Sequence, residues 1–200
     1  SARKRNVVLA VNQNGRWAPH FSYMRHAIAA GLVGEVSSVE FAVHWDHNWI
    51  ADTPFNRIPH VLFYDFAIHW FDILSCFMRG VAVQRVYATA RRGAGQRAAH
   101  PLIGSAVVEF PNAVATMAFA GSTQYGAMDR TVVAGSNGTL VSMGPDINQQ
   151  SVTLYTAAGQ ATPKLEGTWF TSGFEGTMGE LLCAVEEGRA PYNSAESNLA

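Results

Sequence analysis

Apolar and polar positions change their period along this chain, and each change marks an element. Asn6 to Val11 (NVVLAV) is a short apolar run that reads as a strand, after which NQNGRW turns the chain at Asn14-Gly15. Pro19 suits a first helical turn, Phe21, Met24, Ile28 and Leu32 then recur at helical spacing, and Gly31 and Gly34 end the helix. Glu35 to Trp45 carries Val36, Val39, Phe41 and Val43 in mixed alternation and reads as a strand. A long loop over 46–58 follows. Pro59 to Gly80 (PHVLFYDFAIHWFDILSCFMRG) then predicts a central helix whose apolar side is Leu62, Phe66, Ile73 and Phe77.

From Val81 onward the texture is that of strands: VAVQRVYATA, PLIGSAVVEF, NAVATMAFAG, DRTVVAGSNGTLVSM and SVTLYTA, separated by turn residues. So little chain between strands leaves no room for a crossover helix, so they pair antiparallel. Gly176 to Gly188 predicts a short helix, and Ser194 caps the start of another that is cut off at Ala200. The expected fold is one α+β domain over residues 1–200, a mostly antiparallel open sheet with helices packed on one face. The other face is apolar enough, through Val107, Ala115, Met117 and Phe119, to predict a homo-oligomer in which a second chain's sheet covers it.

Composition narrows the class. The chain is 48% hydrophobic and 14% charged with a formal net charge of -1, which allows an ordinary core and offers no footprint for nucleic acid or an anionic membrane. Arg3-Lys4-Arg5 reads as a solvated terminus. Cys76 and Cys183 form no C-x-x-C pair and read as free thiols in a reducing compartment. With no membrane-length apolar run and no signal-like opening, the expected location is cytoplasmic. Asn137-Gly138-Thr139 matches a glycosylation sequon but reads better as a hairpin turn.

Candidate chemistry sits on the central helix. Asp65, His69 and Asp72 fall at i, i+4 and i+7, one polar stripe on an otherwise apolar element, so they must be paired or face a cleft. A buried, satisfied His and carboxylate pair would be the structural alternative. The preceding strand and loop add His44, Trp49 and Arg57, aromatic and donor groups that suit the faces and hydroxyls of a sugar.

The pattern DFAIHWFD resembles the Asp-x-Gly-x-His-x-x-Asp signature in the second domain of the glucose-fructose oxidoreductase, inositol dehydrogenase and rhizopine-catabolism (Gfo/Idh/MocA) family, with Ala67 where the family usually has Gly. VNQNGRWAPHFSYMRHAIAAGLVGEV also resembles the entrance to that domain, where an Asn-x-Arg turn precedes a helix and Gly-x-x-Gly-Glu. The resemblance implies a glyceraldehyde-3-phosphate-dehydrogenase-like C-terminal domain, without its Rossmann domain or last helix. It implies an NAD(P)-dependent oxidoreductase of a sugar, polyol or related hydroxy compound, with His69 and Asp65 catalytic and Asp72 holding the ring or a hydroxyl; His44, Trp49, Arg57 and Arg16 are the further expected substrate contacts. NAD or NADP would belong to the full-length protein, with none expected on this chain.

Two rival motifs remain. Gly93-Ala94-Gly95-Gln96-Arg97-Ala98 matches a dinucleotide glycine pattern, but Pro101 follows too soon for the helix that must face a pyrophosphate, so it reads as a flexible hairpin connection. His44, His47, His60 and His69 with Asp46, Asp65 and Asp72 would suit zinc or manganese by type, without a diagnostic spacing. A non-catalytic ligand-binding and oligomerisation module is the other alternative.

Overall fold

A computed structural model describes residues 2–5 and 7–198. Eight strands form one sheet: β1 (Val36–His44), β2 (Arg85–Arg91), β3 (Ile103–Glu109), β4 (Val114–Ala120), β5 (Met128–Gly135), β6 (Gly138–Gly144), β7 (Ser151–Thr156) and β8 (Gly159–Ala161). Their spatial order is β2-β3-β4-β1-β5-β6-β7-β8. Every neighbouring pair is antiparallel except β1 and β4, which run parallel because the chain leaves β1, crosses over through the central helix and returns by the β2-β3-β4 meander. That crossover, with the β4–β5 connection that passes over the end of β1, places β1 at the centre of the sheet.

Among the described residues four α-helices accompany the sheet: α1 (Ala2–Arg5), α2 (Pro19–Ala29), α3 (Ile68–Phe77) and α4 (Trp169–Glu186). The core lies between the sheet and α2 and α3. Val39, Phe41 and Val43 of β1 point into it with Met117 and Phe119 of β4 and Val133 of β5, and Phe21, Met24, Trp70 and Ile73 meet them from the helices. Phe41 stacks on Phe77 at 6.2 Å with Phe21 edge-on to both, a burial of rings that dominates the packing energy.

This packing corrects the expected oligomer face. Ala115, Met117 and Phe119 are 0, 2 and 1% exposed because they point at the helices, one residue out of phase with the open face. Val107 does lie on the open face, together with Tyr87, Ile103, Val114, Met143 and Tyr155, around a central Glu40–Arg130 ion pair.

Three elements differ from the sequence reading. Val7 to Leu9 form no strand; they are exposed, and Ala10 alone makes a bridge, to Ser194. A strand needs a neighbour, whatever its side chains prefer. The last helix begins at Trp169 instead of Gly176, capped by the Thr168 hydroxyl, which accepts from Thr171 N–H. Its glycines argued against a helix by propensity, yet they are where it meets the chain's first turn: a Cβ on Gly173 would lie 2.8 Å from the Asn14 carbonyl, and one on Gly176 would enter the Trp17 ring. At the C-terminus Ser194 does cap, accepting from Ser197 N–H at 3.2 Å above a short 3-10 turn, Glu196–Asn198. The end of the predicted helix, Leu199 and Ala200, lies outside the described residues.

Candidate functional site

The central helix is not uniform. Ala67 N–H bonds to the Leu62 carbonyl, five residues back, at 2.7 Å, so Leu62–Phe66 form a π turn before α3 begins. His60, just ahead of it, has a left-handed φ of 54°, a conformation costly for a residue with a Cβ. Such wide turns recur beside functional sites, and this one carries Asp65. Along the stripe burial deepens by steps: Asp65 is exposed, His69 half-buried, and Asp72 9% exposed.

A short 3-10 turn, Asn14–Trp17, packs along this stripe and decides what each residue can do. Gln13 Oε1 lies 3.2 Å from His69 Nδ1. Three residues on in both segments, Arg16 Nη2 and Nε meet the two oxygens of Asp72 at 2.5 and 2.8 Å. Arg16 also donates from Nη1 to the Tyr192 carbonyl and is 2% exposed. Burial would lower its pKa, but the fork-on-fork contact with Asp72 outweighs that and leaves it raised. Arg16 and Asp72, expected as substrate contacts, are therefore taken up by each other.

His69 keeps its other nitrogen, Nε2, clear of any protein hydrogen bond among the described residues. Burial lowers its pKa against the opposing pull of Asp72 and Asp65, which favours the neutral ring. The Trp169 indole stands edge-on to it at 5.9 Å. From Trp169 a run of rings passes through Trp70, Trp45 and His47 to Trp49, each centroid 5.6 to 5.8 Å from the next. His47 is half-buried in this run, and the loss of solvent lowers its pKa to about 4. Trp49, 54% exposed, is where the run reaches solvent. A cleft of about 400 Å³ opens beside the helix, lined by Gln13, Asp72, Ile68, Phe71 and Ser75 among others.

The remaining expected residues fall elsewhere. His44 belongs to the same face as Glu40 and Ala42, the open face, so the sheet lies between it and His69. Arg57 is exposed on the 3-10 turn Pro54–Arg57, without an ion pair among the described residues. The loop bearing Trp49 is held by the glycine pattern that resembled a nucleotide fingerprint: Asn48 Oδ1 accepts from Arg97 N–H, Asn56 Oδ1 from Ala99 N–H, and Arg97 pairs with Asp52. The Gln96 side chain closes that segment with four hydrogen bonds, to Gly93, Ala98, His100 and Leu102. The segment is an ordered clasp that runs into β3, without the helix N-terminus that a dinucleotide fingerprint presents to a pyrophosphate. Among the described residues no three His, Cys, Asp or Glu side chains come together to hold a metal.

Sequence reasoning overlooked Gln13, Trp169 and Asp129. Gln13 had a usable signal, since Gln13 and Arg16 repeat the spacing of His69 and Asp72. Trp169 had none. Asp129, on the core side of β5, is 2% exposed with Oδ2 unpartnered, and burial with Asp146 nearby raises its pKa to about 7.

The site thus lies on the helix-backed side of an open mixed sheet, with Asp65 on the π turn and His69 and Asp72 on the second long helix, α3. The model of the GFO/IDH/MocA C-terminal domain matches residues 21–141, and the chain belongs to that family. No curated protein matches the chain. Among solved structures it is similar to an oxidoreductase from Agrobacterium radiobacter in complex with NAD+, L-tartaric acid and magnesium (15% identity, TM-score 0.82, 98% of this chain and 60% of that one). It is also similar to aldose-aldose oxidoreductase from Caulobacter crescentus complexed with glycerol and to UDP-N-acetylglucosamine 3-dehydrogenase from Acidithiobacillus ferrooxidans, each at 16% identity and TM-score 0.76 over 98% of this chain and 59% of theirs. At such identities the likeness is one of fold, and the chain spans about 60% of these proteins' length.

Proposed function

We propose that this chain is the substrate-binding, catalytic-residue-bearing domain of an NAD(P)-dependent oxidoreductase acting on a sugar, polyol or related hydroxy compound. The observation that carries this is His69: neutral, half-buried, tied at Nδ1 and free at Nε2. A substrate hydroxyl within about 3 Å of Nε2 would give up its proton there as its carbon is oxidised. Asp65, one turn away, would stabilise the imidazolium so formed. The nicotinamide of NAD or NADP would accept the hydride from that same carbon.

The other residues divide the remaining work. Arg16 and Asp72 hold the 3-10 turn against α3, so their role is to frame the site. Trp49 and Arg57 would offer a ring face and a donor to substrate from the clasped loop, and His44 would serve the open face of the sheet. Three apolar surfaces on the helix side support a larger protein: Val7 to Leu9, a ridge of Phe170, Phe174, Met178 and Leu182 along α4, and a cleft of about 860 Å³ lined by Val81, Val83, Val86 and Phe110 among others.

Two measurements test the reading. In the longer oxidoreductase carrying this domain, His69→Asn should lower kcat by about a hundredfold or more on the preferred hydroxy substrate. An unchanged kcat would remove His69 from the chemistry. The 200-residue chain alone should give no heat of binding with NAD or NADP, and micromolar binding would mean that the nucleotide is held here after all.

A further inference from the structure

Gln13 lines the cleft beside α3 and reaches His69 with its side-chain amide. Its backbone is fixed on both sides: its N–H bonds to the Val11 carbonyl at 2.8 Å, and its carbonyl accepts from Arg16 N–H at 3.2 Å. Val11 is itself tied to Asn193, giving its N–H to the Asn193 carbonyl and accepting from Asn193 Nδ2 at 2.7 Å. The side chain is 8% exposed and ends 3.2 Å from His69 Nδ1. The Arg16–Asp72 ion pair then locks the same two segments together three residues on, so the amide cannot drift along α3.

We propose that Gln13 is a positioning residue: its Oε1 accepts the Nδ1 proton of His69, holding the neutral ring in the tautomer that leaves the Nε2 lone pair open to the site. The inference rests on the reading of His69 as a proton acceptor. A neutral imidazole carries one proton, and the hydrogen bond at one nitrogen decides which nitrogen is free. With the amide reversed, Gln13 Nε2 would donate to Nδ1 and the ring proton would occupy Nε2, so that His69 could not take a proton there. The charged groups around the ring are Asp65 and Asp72 from its own helix and Arg16 from the 3-10 turn. Arg16 and Asp72 neutralise each other, and α4 contributes the uncharged Trp169 ring.

The ring nitrogens report this directly. Long-range proton–nitrogen spectra of the nitrogen-labelled 200-residue chain, with His69 assigned among the seven histidines by loss of its signals in His69→Asn, should show the proton on Nδ1 and a bare Nε2. Gln13→Met, which keeps the shape and removes the acceptor, should move a large part of the ring population to the Nε2–H form. Gln13→Glu should keep Nδ1–H and raise the His69 titration midpoint by about one pH unit or more. A wild-type ring protonated at Nε2 overturns the proposal, as does a Gln13→Met ring still held at Nδ1 or a Gln13→Glu midpoint that does not move. If Gln13→Met fails to fold, the wild-type spectrum and Gln13→Glu still decide. None of these readouts needs turnover. An Nδ1–H ring in a protein whose His69→Asn variant keeps its kcat would sink the functional reading and leave the Gln13 assignment standing.

Discussion

Gln13 meets His69 and, three residues further along both segments, Arg16 meets Asp72, so a 3-10 turn and a helix are joined by two rungs in register. The lower rung is a buried ion pair, and the upper one carries the candidate chemistry.

Removing one partner of the lower rung leaves a buried charge alone. Arg16→Leu should therefore destabilise the domain by about 3–5 kcal/mol, read as a fall in the urea midpoint. Arg16→Leu with Asp72→Leu should recover much of that loss, because no charge is then stranded. Equal losses in the single and double variants would show that Arg16 matters for its packing and its bond to Tyr192, and not for its charge.

Asp129 makes stability depend on pH. Its folded pKa, about 7, lies above the ordinary 3.8, so the folded chain holds this proton more tightly than the unfolded one. The contribution is fully present below about pH 4 and is lost as pH rises through about 7. A rise of that size corresponds to about 4 kcal/mol at roughly 1.4 kcal/mol per pH unit. His20 and His47, lowered to about 3 and about 4 by burial, act oppositely and lose stability as pH falls below about 6.5. The measurable quantity is therefore the difference from Asp129→Asn, which should gain on the wild type by up to about 4 kcal/mol between pH 4 and 8. Parallel curves would mean that Asp129 is not held protonated.

The glycines of α4 should respond in opposite directions. Gly179 has open space where a Cβ would go, so Gly179→Ala should stabilise by about 0.5–1 kcal/mol through helix propensity. Gly173→Ala would press a methyl 2.8 Å from the Asn14 carbonyl and should cost about 1–3 kcal/mol despite the same propensity gain. Thermal melts that move the same way for both would rule out close packing as the reason for Gly173.

The open sheet face should bring copies of the chain together. Tyr87, Ile103, Val114, Met143 and Tyr155 are each between 39 and 70% exposed there, and alternation on a sheet puts them on one surface. Sedimentation at micromolar concentration should give a multiple of 21.7 kDa, and Val107→Lys should shift it towards the single chain. A clean 21.7 kDa species for the unaltered protein would defeat this.

Local pattern was enough for much of the fold. The period-two runs after Val81 and their short connections led to an antiparallel meander, a property of a few neighbouring residues, whereas the helical spacing of Asp65, His69 and Asp72 did not show that Asp65 stands on a π turn ahead of α3. Which face of β4 is buried was not legible from a strand apolar at nearly every position, since a one-residue change of phase exchanges Met117 for Thr116 and only the helices' location breaks the tie. A helix through Gly173 and Gly176 contradicts propensity until Asn14 and Trp17 arrive against it. Likewise Arg16 and Asp72 looked like open polar groups because a sequence shows charges without their partners. Contacts between segments 56 residues apart are set by how the whole chain packs, and it is those contacts that leave His69 Nε2 free and Asp72 occupied.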